Sequence, residues 1–382
     1  MNNFDKIQQK SEYDIRFKYL YNKIPFPNGK LLKDFTLDDK IEYANGKIRD
    51  FFNLTKNEPK KISFSGGKDS TVLAHLVRQV EKELNLPPTP LVVSAEIFHP
   101  LTLEYLKSLG NYELLPPKKN INQIIEEYGY PLISKEWSFK IHHIRNTKNH
   151  GKYIRVIFGL GYNYHLFPKK YLHFLDKDFV DYEISHKCCD FIKGGVKKDK
   201  RLSFIGASVY ESNLREKTWL NGGCLQYIDN KLTNCKPLSI WTTKDIWEYI
   251  KRFNLLYSKV YDLGYIRSGC VCCGFGLSLE EQLKKKKSIS MNRFELLYKT
   301  NKDLFFYFFS KLKMWKCLAD MNISLDNVSQ EYLVEFNNRK KQVKEWYVNK
   351  EANFRKILNE INERNNCFSQ EEIEQLIKKY CL

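Results

Sequence analysis

The first clear pattern along the chain is helical. Ile41, Ala44, Ile48, Phe51 and Phe52 recur at intervals that place them on one face, so residues 1–60 read as a polar lead-in followed by an amphipathic helix. Residues 61–64 then alternate as a strand does, stop at SGGKDS, and give way to TVLAHLVRQVEKEL, whose apolar spacing is helical again. The segment is strand, glycine turn, helix. Residues 90–97 predict a second strand, residues 102–109 a helix and residues 112–115 a third strand. SFIGA at 203–207 reads as a short buried strand, and TKDIWEYIKRF at 243–253 as a helix opened by a capping Thr. Alternation of this kind predicts an α/β fold built on a doubly wound, mostly parallel sheet.

Residues 140–185 show no clear period and read as a variable insertion or lid. From residue 278 onward, FELLYKTNKDLFFYFFSKLKMW and QEEIEQLIKKY carry aromatic faces and basic surfaces, which predicts a C-terminal helical region. The expected organisation is therefore a lead-in at 1–60, a main domain at 61–277 holding the nucleotide and cysteine motifs, and a basic helical region at 278–382.

Composition narrows the class. With 42% apolar and 14% aromatic residues the 382-residue chain is globular, and no stretch approaches the ~20 uninterrupted apolar residues of a membrane span, so no membrane partner is expected. The N-terminus mixes charges and lacks an apolar core, which does not read as a secretion signal and points to a cytoplasmic setting. Ten cysteines there stay reduced, which favours metal ligation or thiol chemistry over disulfides. Lys and Arg outnumber Asp and Glu by 63 to 45, a net +18, which brings nucleotides and nucleic acid among the candidate partners. The lysine run 284–287 has two readings, a solvated helix face and a phosphate-backbone contact.

The glycine turn is the strongest chemical signal. Gly66 and Gly67 let the backbone approach an anion closely, the following helix start carries partial positive charge, and Ser65 and Ser70 offer hydroxyl donors. Lys68 adds charge to a phosphate site, and Asp69 is placed to fix the turn or help hold Mg2+ shared with phosphates. The cysteines form two knots: Cys188 and Cys189 in SHKCCDFIK, and Cys270, Cys272 and Cys273 in SGCVCCGFG about eighty residues later. A Cys-x-x-Cys turn plus a second pair supplies four thiolates, the donor set of zinc or an iron–sulfur centre. Cys235, Cys317 and Cys367 stand alone and read as packing residues.

SGGKDS resembles the SGGxDS loop of the adenine-nucleotide α-hydrolase superfamily, which includes ATP pyrophosphatases, tRNA thiolation enzymes and phosphoadenosine phosphosulfate reductases. The resemblance implies binding of ATP or a sulfonucleotide and, where ATP is used, cleavage between the α and β phosphates. The cysteine layout resembles that of assimilatory adenylylsulfate reductases, which implies a 4Fe–4S cluster held by Cys188, Cys189, Cys270 and Cys273, with Cys272 surplus and Cys224 of NGGC a substitute. YGYPLISKE at 128–136, FIGASVYESNLREKTWL at 204–220 and KPLSIWTTKDIWEYI at 236–250 extend the likeness over about residues 40–277. In that pattern Glu211 and Arg215 follow the SFIGA strand, Arg215 suited to an anionic group of the substrate, and Lys135 and Arg267 are further basic candidates.

Two departures matter. Family members often carry Asp-Thr-Gly after the second strand, where this chain has Ser94, Ala95 and Glu96. Sulfonucleotide reductases use a cysteine in a C-terminal Glu-Cys-Gly-(Ile or Leu)-His tail, whereas this chain ends KKYCL, so Cys381 lacks that context. The expected activity is ATP-dependent sulfur transfer through an adenylated acceptor, with Asp69, Lys68 and Arg215 at the chemistry, nucleic acid among the candidate acceptors and a cysteine desulfurase as sulfur donor. A sulfonucleotide reductase and a silent nucleotide- or DNA-binding regulator are the alternatives.

Overall fold

Thr36 decides where the first helix, α1 (Leu37–Leu54), begins. Its hydroxyl accepts from the Asp39 amide at 3.2 Å while the Asp39 carboxylate accepts from the Thr36 amide at 2.9 Å, a reciprocal cap. α1 buries Ala44, Ile48, Phe51 and Phe52, the face its spacing predicts. The computed structural model describes residues 29–94, 98–160, 166–271 and 273–382. Most of the polar lead-in, the end of the second predicted strand at 95–97, and Cys272 lie outside the described residues.

The chain forms two compact units, and neither is continuous in sequence. One is built from the chain up to Lys118 and Ile192–Gly269, the other from Lys119–Phe191 and Cys270–Leu382.

The first unit holds a six-stranded sheet: β1 (Lys60–Phe64), β2 (Leu91–Ser94), β3 (Glu113–Leu115), β4 (Leu202–Ile205), β5 (Leu225–Ile228) and β6 (Lys231–Cys235). The order is β3-β2-β1-β4-β6-β5. β1 pairs in parallel with β2, Ser63 opposite Val92, and with β4, Ile62 opposite Phe204. Only β5 runs antiparallel, joined to β6 by the two-residue turn Asp229 and Asn230, both left-handed at φ 50° and 60°. α1, α2 (Lys68–Glu83) and the helix Thr243–Arg252 share one core, where Phe51 meets Phe204 edge-on at 4.9 Å beside Ile62, Val72, Leu76, Ile246 and Tyr249. The helix Thr243–Arg252 is capped by Thr242, one residue before the Thr that the sequence reading places at its start. α3 (Pro100–Ser108) lays Tyr105 and Leu106 against Phe64 and Val93. The doubly wound, mostly parallel sheet is thus present. Lys40 of α1 is buried and reaches Asp245 at 2.5 Å, while Asp245 also accepts from the Thr242 amide at 2.7 Å.

The second unit is helical, including Ile121–Tyr128, Lys135–Asn146, Arg293–Thr300, Val334–Val348, Lys350–Asn365 and Gln370–Cys381. The segment 140–185 belongs to it and buries Ile144, Ile154, Phe158, Phe167, Phe174 and Val180. His173 lies at its centre: Nε2 donates to the Asp320 carbonyl and Nδ1 accepts from the Tyr347 hydroxyl, both at 3.0 Å. The imidazole is therefore held neutral.

Two outcomes follow from these buried groups. Asp245→Ala, which strands the buried Lys40 ammonium and removes a cap, is expected to cost ~3 kcal/mol or more, whereas Lys40→Met costs under ~1 kcal/mol because a paired ion is replaceable by an apolar chain. Urea denaturation of the two variants checks this. Burial pushes His173 from its ordinary 6.5 down to about 3. The unfolded chain therefore binds a proton that the folded chain does not, so this stability is complete above pH ~6.5 and is lost as pH falls, by ~1.4 kcal/mol per pH unit. Denaturation at pH 7, 5.5 and 4.5 is expected to show that slope in the native chain and its loss in His173→Gln.

Candidate functional site

The strand order reverses between β1 and β4, so the carboxyl end of β1 is the topological switch point, the place where such sheets bind ligands. SGGKDS begins there. Gly66 turns left-handed at φ +68°, and a Cβ on it would stand 3.0 Å from Thr102 Cγ2 of α3. Gly67 is the N-cap of α2 and brings no side-chain cap. The Lys68 amide instead donates to the Tyr261 hydroxyl at 3.1 Å. Ser70 Oγ donates to the Gly67 carbonyl at 2.8 Å and lies 3.3 Å from both the amide and the hydroxyl of Ser65. Lys68 is buried, with Nζ 2.8 Å from the half-buried Asp69 carboxylate. Gly206, just after β4, is pressed against this turn: a Cβ there would meet the Asp69 backbone at 3.2 Å.

The loop residues Ser65, Gly66, Gly67, Lys68, Asp69 and Ser70 are therefore brought together with hydroxyls, an ammonium and a helix start at one point, an arrangement suited to phosphate. Tyr261 was missed by sequence reasoning. Burial raises its hydroxyl to about 12, which keeps it a neutral partner for the loop amide. Nothing in SKVYDLG marks it, since its role depends on where the 3-10 turn Lys259–Leu263 folds.

The other predicted residues of this unit are more dispersed. Glu211 accepts from the Ser208 amide at 3.1 Å in a capping box and pairs with Arg215 one helical turn on; Arg215 is exposed, and Lys236 feels its charge. Among the described residues the Glu211 and Arg215 side chains bond each other and the Ser208 amide, not the glycine loop. Arg267 is exposed. Cys224 is buried 3.6 Å from the Tyr43 hydroxyl of α1, and burial raises its thiol. Ser94 is buried and donates to the Ile192 carbonyl at 2.9 Å; Ala95 and Glu96 are outside the described residues.

Cys188, Cys189, Cys270 and Cys273 all belong to the second unit. A short extended segment, Tyr130 to Leu132, lies between the two knots. Tyr130 pairs in parallel with Ile184, shortly before Cys188, and Leu132 pairs in parallel with Gly274, next to Cys273. Both contacts require glycine: a Cβ on Gly129, at φ +97°, would meet the Glu183 carbonyl at 2.2 Å, and one on Gly274 would meet the Pro131 carbonyl at 2.3 Å. Tyr128 stacks on Phe191 at 4.7 Å, closing the helix turn that carries Cys188 and Cys189. The Cys273 thiol is raised by burial, opposed by the Arg293 charge and aided by Cys189, so the two knots feel one another. Arg293 is buried, donates to Glu280 at 2.8 Å and to the Cys270 carbonyl at 2.7 Å, and needs Gly276 beside it, where a Cβ would stand 2.7 Å from Nη2. Lys135 is here too, 3.4 Å from Asp190.

The donor chemistry fits a thiolate-bound metal centre: two Cys pairs are carried to one neighbourhood, with a buried cation at hand to offset thiolate charge. Among the described residues no three or more His, Cys, Asp or Glu are already gathered round one point, and Cys272 is not among them. Cys381 ends the last helix, with its thiol raised by burial rather than lowered.

The sheet order, the switch-point loop and SGGKDS define an α/β protein of the adenine-nucleotide α-hydrolase class. The chain belongs to the phosphoadenosine phosphosulfate reductase family, whose domain profile matches residues 60–274, more than half of its length. An uncharacterized protein of Methanocaldococcus jannaschii is 25% identical over 254 residues, covering 63% of this chain and 49% of that protein. Adenosine 5'-phosphosulfate reductase of Anoxybacillus flavithermus is 32% identical over 114 residues, covering 29% of this chain and 47% of that protein. The chain thus spans about half the length of these relatives. Solved structures with some likeness are a phosphoadenylyl-sulfate reductase of Candida auris in a phosphate complex, with TM-score 0.33, 10% identity and coverage of 62% of this chain and 96% of that one. Another is the tRNA thiolase NcsA of Methanococcus maripaludis with its 4Fe–4S cluster, with TM-score 0.29, 15% identity and coverage of 68% and 76%. Among the described residues no helix is long and apolar enough to cross a membrane.

Gly274→Ala is expected to destabilise the protein by ~1–3 kcal/mol, because the backbone must yield to the new methyl. Gly46→Ala is expected to stabilise it by ~0.5–1 kcal/mol, since that glycine is interior to α1 and a Cβ there meets nothing within 4 Å. Urea midpoints of the two variants distinguish these signs.

Proposed function

We propose that the chain is an ATP-dependent adenylating sulfur-transfer enzyme of the phosphoadenosine phosphosulfate reductase family. The observation that carries this reading is the SGGKDS turn at the β1 switch point, with Gly66 left-handed, Gly67 opening α2 with no side chain of its own and Lys68 beside Asp69. Gly66, Gly67, Ser65 and Ser70 bind the phosphates, Lys68 offsets their charge, and Asp69 holds Mg2+ against them. An acceptor oxygen attacks the α-phosphorus, the bond to the bridging oxygen breaks, and pyrophosphate leaves with that electron pair. The terminal sulfur of a persulfide then attacks the adenylated carbon or phosphorus of the acceptor, AMP departs, and an external thiol cleaves the remaining S–S bond, supplying the two electrons and leaving with the carrier sulfur as a disulfide. Nucleic acid is the acceptor class favoured by the +18 charge, and a cysteine desulfurase is the expected sulfur source. Arg215 acts on an anionic group of the substrate once it exchanges Glu211 for it.

Cys188, Cys189, Cys270 and Cys273 hold a 4Fe–4S cluster in this reading. With a thiolate on every iron the cluster would leave no iron site open; it would tie the two cysteine pairs together and supply an electron-transfer centre, and sulfur would arrive as a persulfide. Arg293 fixes the Cys270 backbone, and the pairings on either side of residues 130–132 orient the two cysteine pairs. Sulfonucleotide reduction is the weaker reading, because burial raises the Cys381 thiol whereas a nucleophile needs it lowered.

Anaerobically purified protein is expected to contain iron and sulfide and to release pyrophosphate from ATP faster when nucleic acid is added. Asp69→Ala is expected to slow release by roughly 10²-fold. Full activity in that variant, or thioredoxin-dependent sulfite release from a sulfonucleotide in place of pyrophosphate release, would sink the reading.

A further inference from the structure

The helical unit contains a cavity of about 540 Å³ with a strongly basic lining: Lys169, Lys170, Lys285, Lys340, Lys344 and Lys350. They come from four separate stretches of chain. Folding gathers like charges there at an electrostatic cost, which neutral side chains would avoid. The acids of the same lining do not cancel them. Asp320 is spent on Arg339 at 2.6 Å and on the Tyr182 hydroxyl at 2.6 Å. Glu281 accepts from the Ser324 amide at 3.0 Å and its hydroxyl at 2.9 Å, leaving Lys285 at 3.9 Å. Among the described residues, Lys169, Lys170, Lys340, Lys344 and Lys350 form no ion pair with a carboxylate. Lys340 is half-buried and spends one donor on the Ile323 carbonyl at 3.2 Å. Its ammonium is disfavoured chiefly by burial, with Lys344 and Lys285 adding to the effect against the pull of Glu281 and Asp326.

We propose that this cavity binds the phosphate backbone of a single-stranded nucleic acid. A single phosphate is saturated by two or three cations, and here there are more. The basic surface also continues past the cavity, since Lys286 and Lys287 follow Lys285 at exposed positions, so the ligand that fits has charge repeating along a chain. The lysine run 284–287 divides accordingly: Lys284 is structural, bound to the buried Glu295 at 2.7 Å, and the rest faces the ligand. This binding does not depend on the sulfur-transfer reading, because a chain that never cleaved ATP would bind in the same way.

The test is fluorescence anisotropy of the full-length chain with a labelled oligonucleotide of about 20 bases, as RNA and as DNA, over a salt series. Lys340→Gln/Lys344→Gln is expected to raise Kd about tenfold at low salt and to lower the slope of log K against log salt by about 1.4, two phosphate contacts' worth. Lys169→Gln/Lys285→Gln, at exposed positions where folding is not at risk, is expected to do the same, while Lys107→Gln/Lys244→Gln in the first unit leaves both quantities unchanged. Inorganic phosphate and ATP are expected to compete only at concentrations far above that of the oligonucleotide. Unchanged binding in both cavity variants, or equal competition by inorganic phosphate or ATP, overturns the proposal. Pyrophosphate release is not read in this experiment, so failure here and failure of the enzymatic reading are told apart.

Discussion

Backbone packed directly on backbone, with no side chain between, is the constraint on which both candidate sites depend. At the glycine loop the end of β4 lies on the first turn of α2, and a methyl at Gly206 would meet the Asp69 backbone at 3.2 Å. At the cysteines the same device is used twice, with Gly129 against Glu183 and Gly274 against Pro131. A loop set by side-chain packing tolerates small shifts, because long side chains can repack around them. A loop set by backbone contact does not, since carbonyls and amides have fixed positions on the chain. The chemistry-bearing residues are therefore carried by the least adjustable parts of each unit.

Three cations beside the candidate sites or in the core are placed alike. The buried or half-buried cations Lys40, Lys68 and Arg293 are each matched by a carboxylate, from Asp245, Asp69 and Glu280 respectively. Such pairs contribute little net stability because desolvation offsets attraction, so their value lies in orientation. Arg293 shows this well. Held by Glu280, its guanidinium has a fork left to grip the Cys270 carbonyl, and a residue far from the cysteine motif in sequence thereby sets that motif's backbone.

Much of this was legible in the residues. The stripe of α1, the strand–turn–helix at SGGKDS and the alternation of elements each carry a local period or a special residue, and each is present in the structure. The hairpin of β5 and β6 was not read, although Asp229 and Asn230 are the residues that a left-handed two-residue turn favours; LQYI and KLTNC are too short and mixed for a period to show. Residues 140–185 hid their structure for another reason. Their helices are short and their buried aromatics are scattered across irregular turns, so burial there is set by partners distant in sequence, as with Trp346 donating to Asp176 at 2.8 Å. Tyr261 and Arg293 were invisible on the same ground, because ordinary residue types acquire a role only through long-range placement.

The interleaving of the two units has a consequence for how the chain is made. β1 pairs with β4, and between them in sequence lies the excursion of Lys119–Phe191, which belongs to the other unit and is completed only by Cys270–Leu382. During synthesis the sheet stays open on one side of β1 until β4 has emerged, and the helical unit waits longer still, for residues at the far end of the chain. Half-formed apolar faces are exposed throughout that interval, a situation of high contact order and slow closure. Vectorial folding from the ribosome therefore offers this protein little shelter, and its early apolar segments, α1 and β1 among them, are where a holding chaperone would find its purchase.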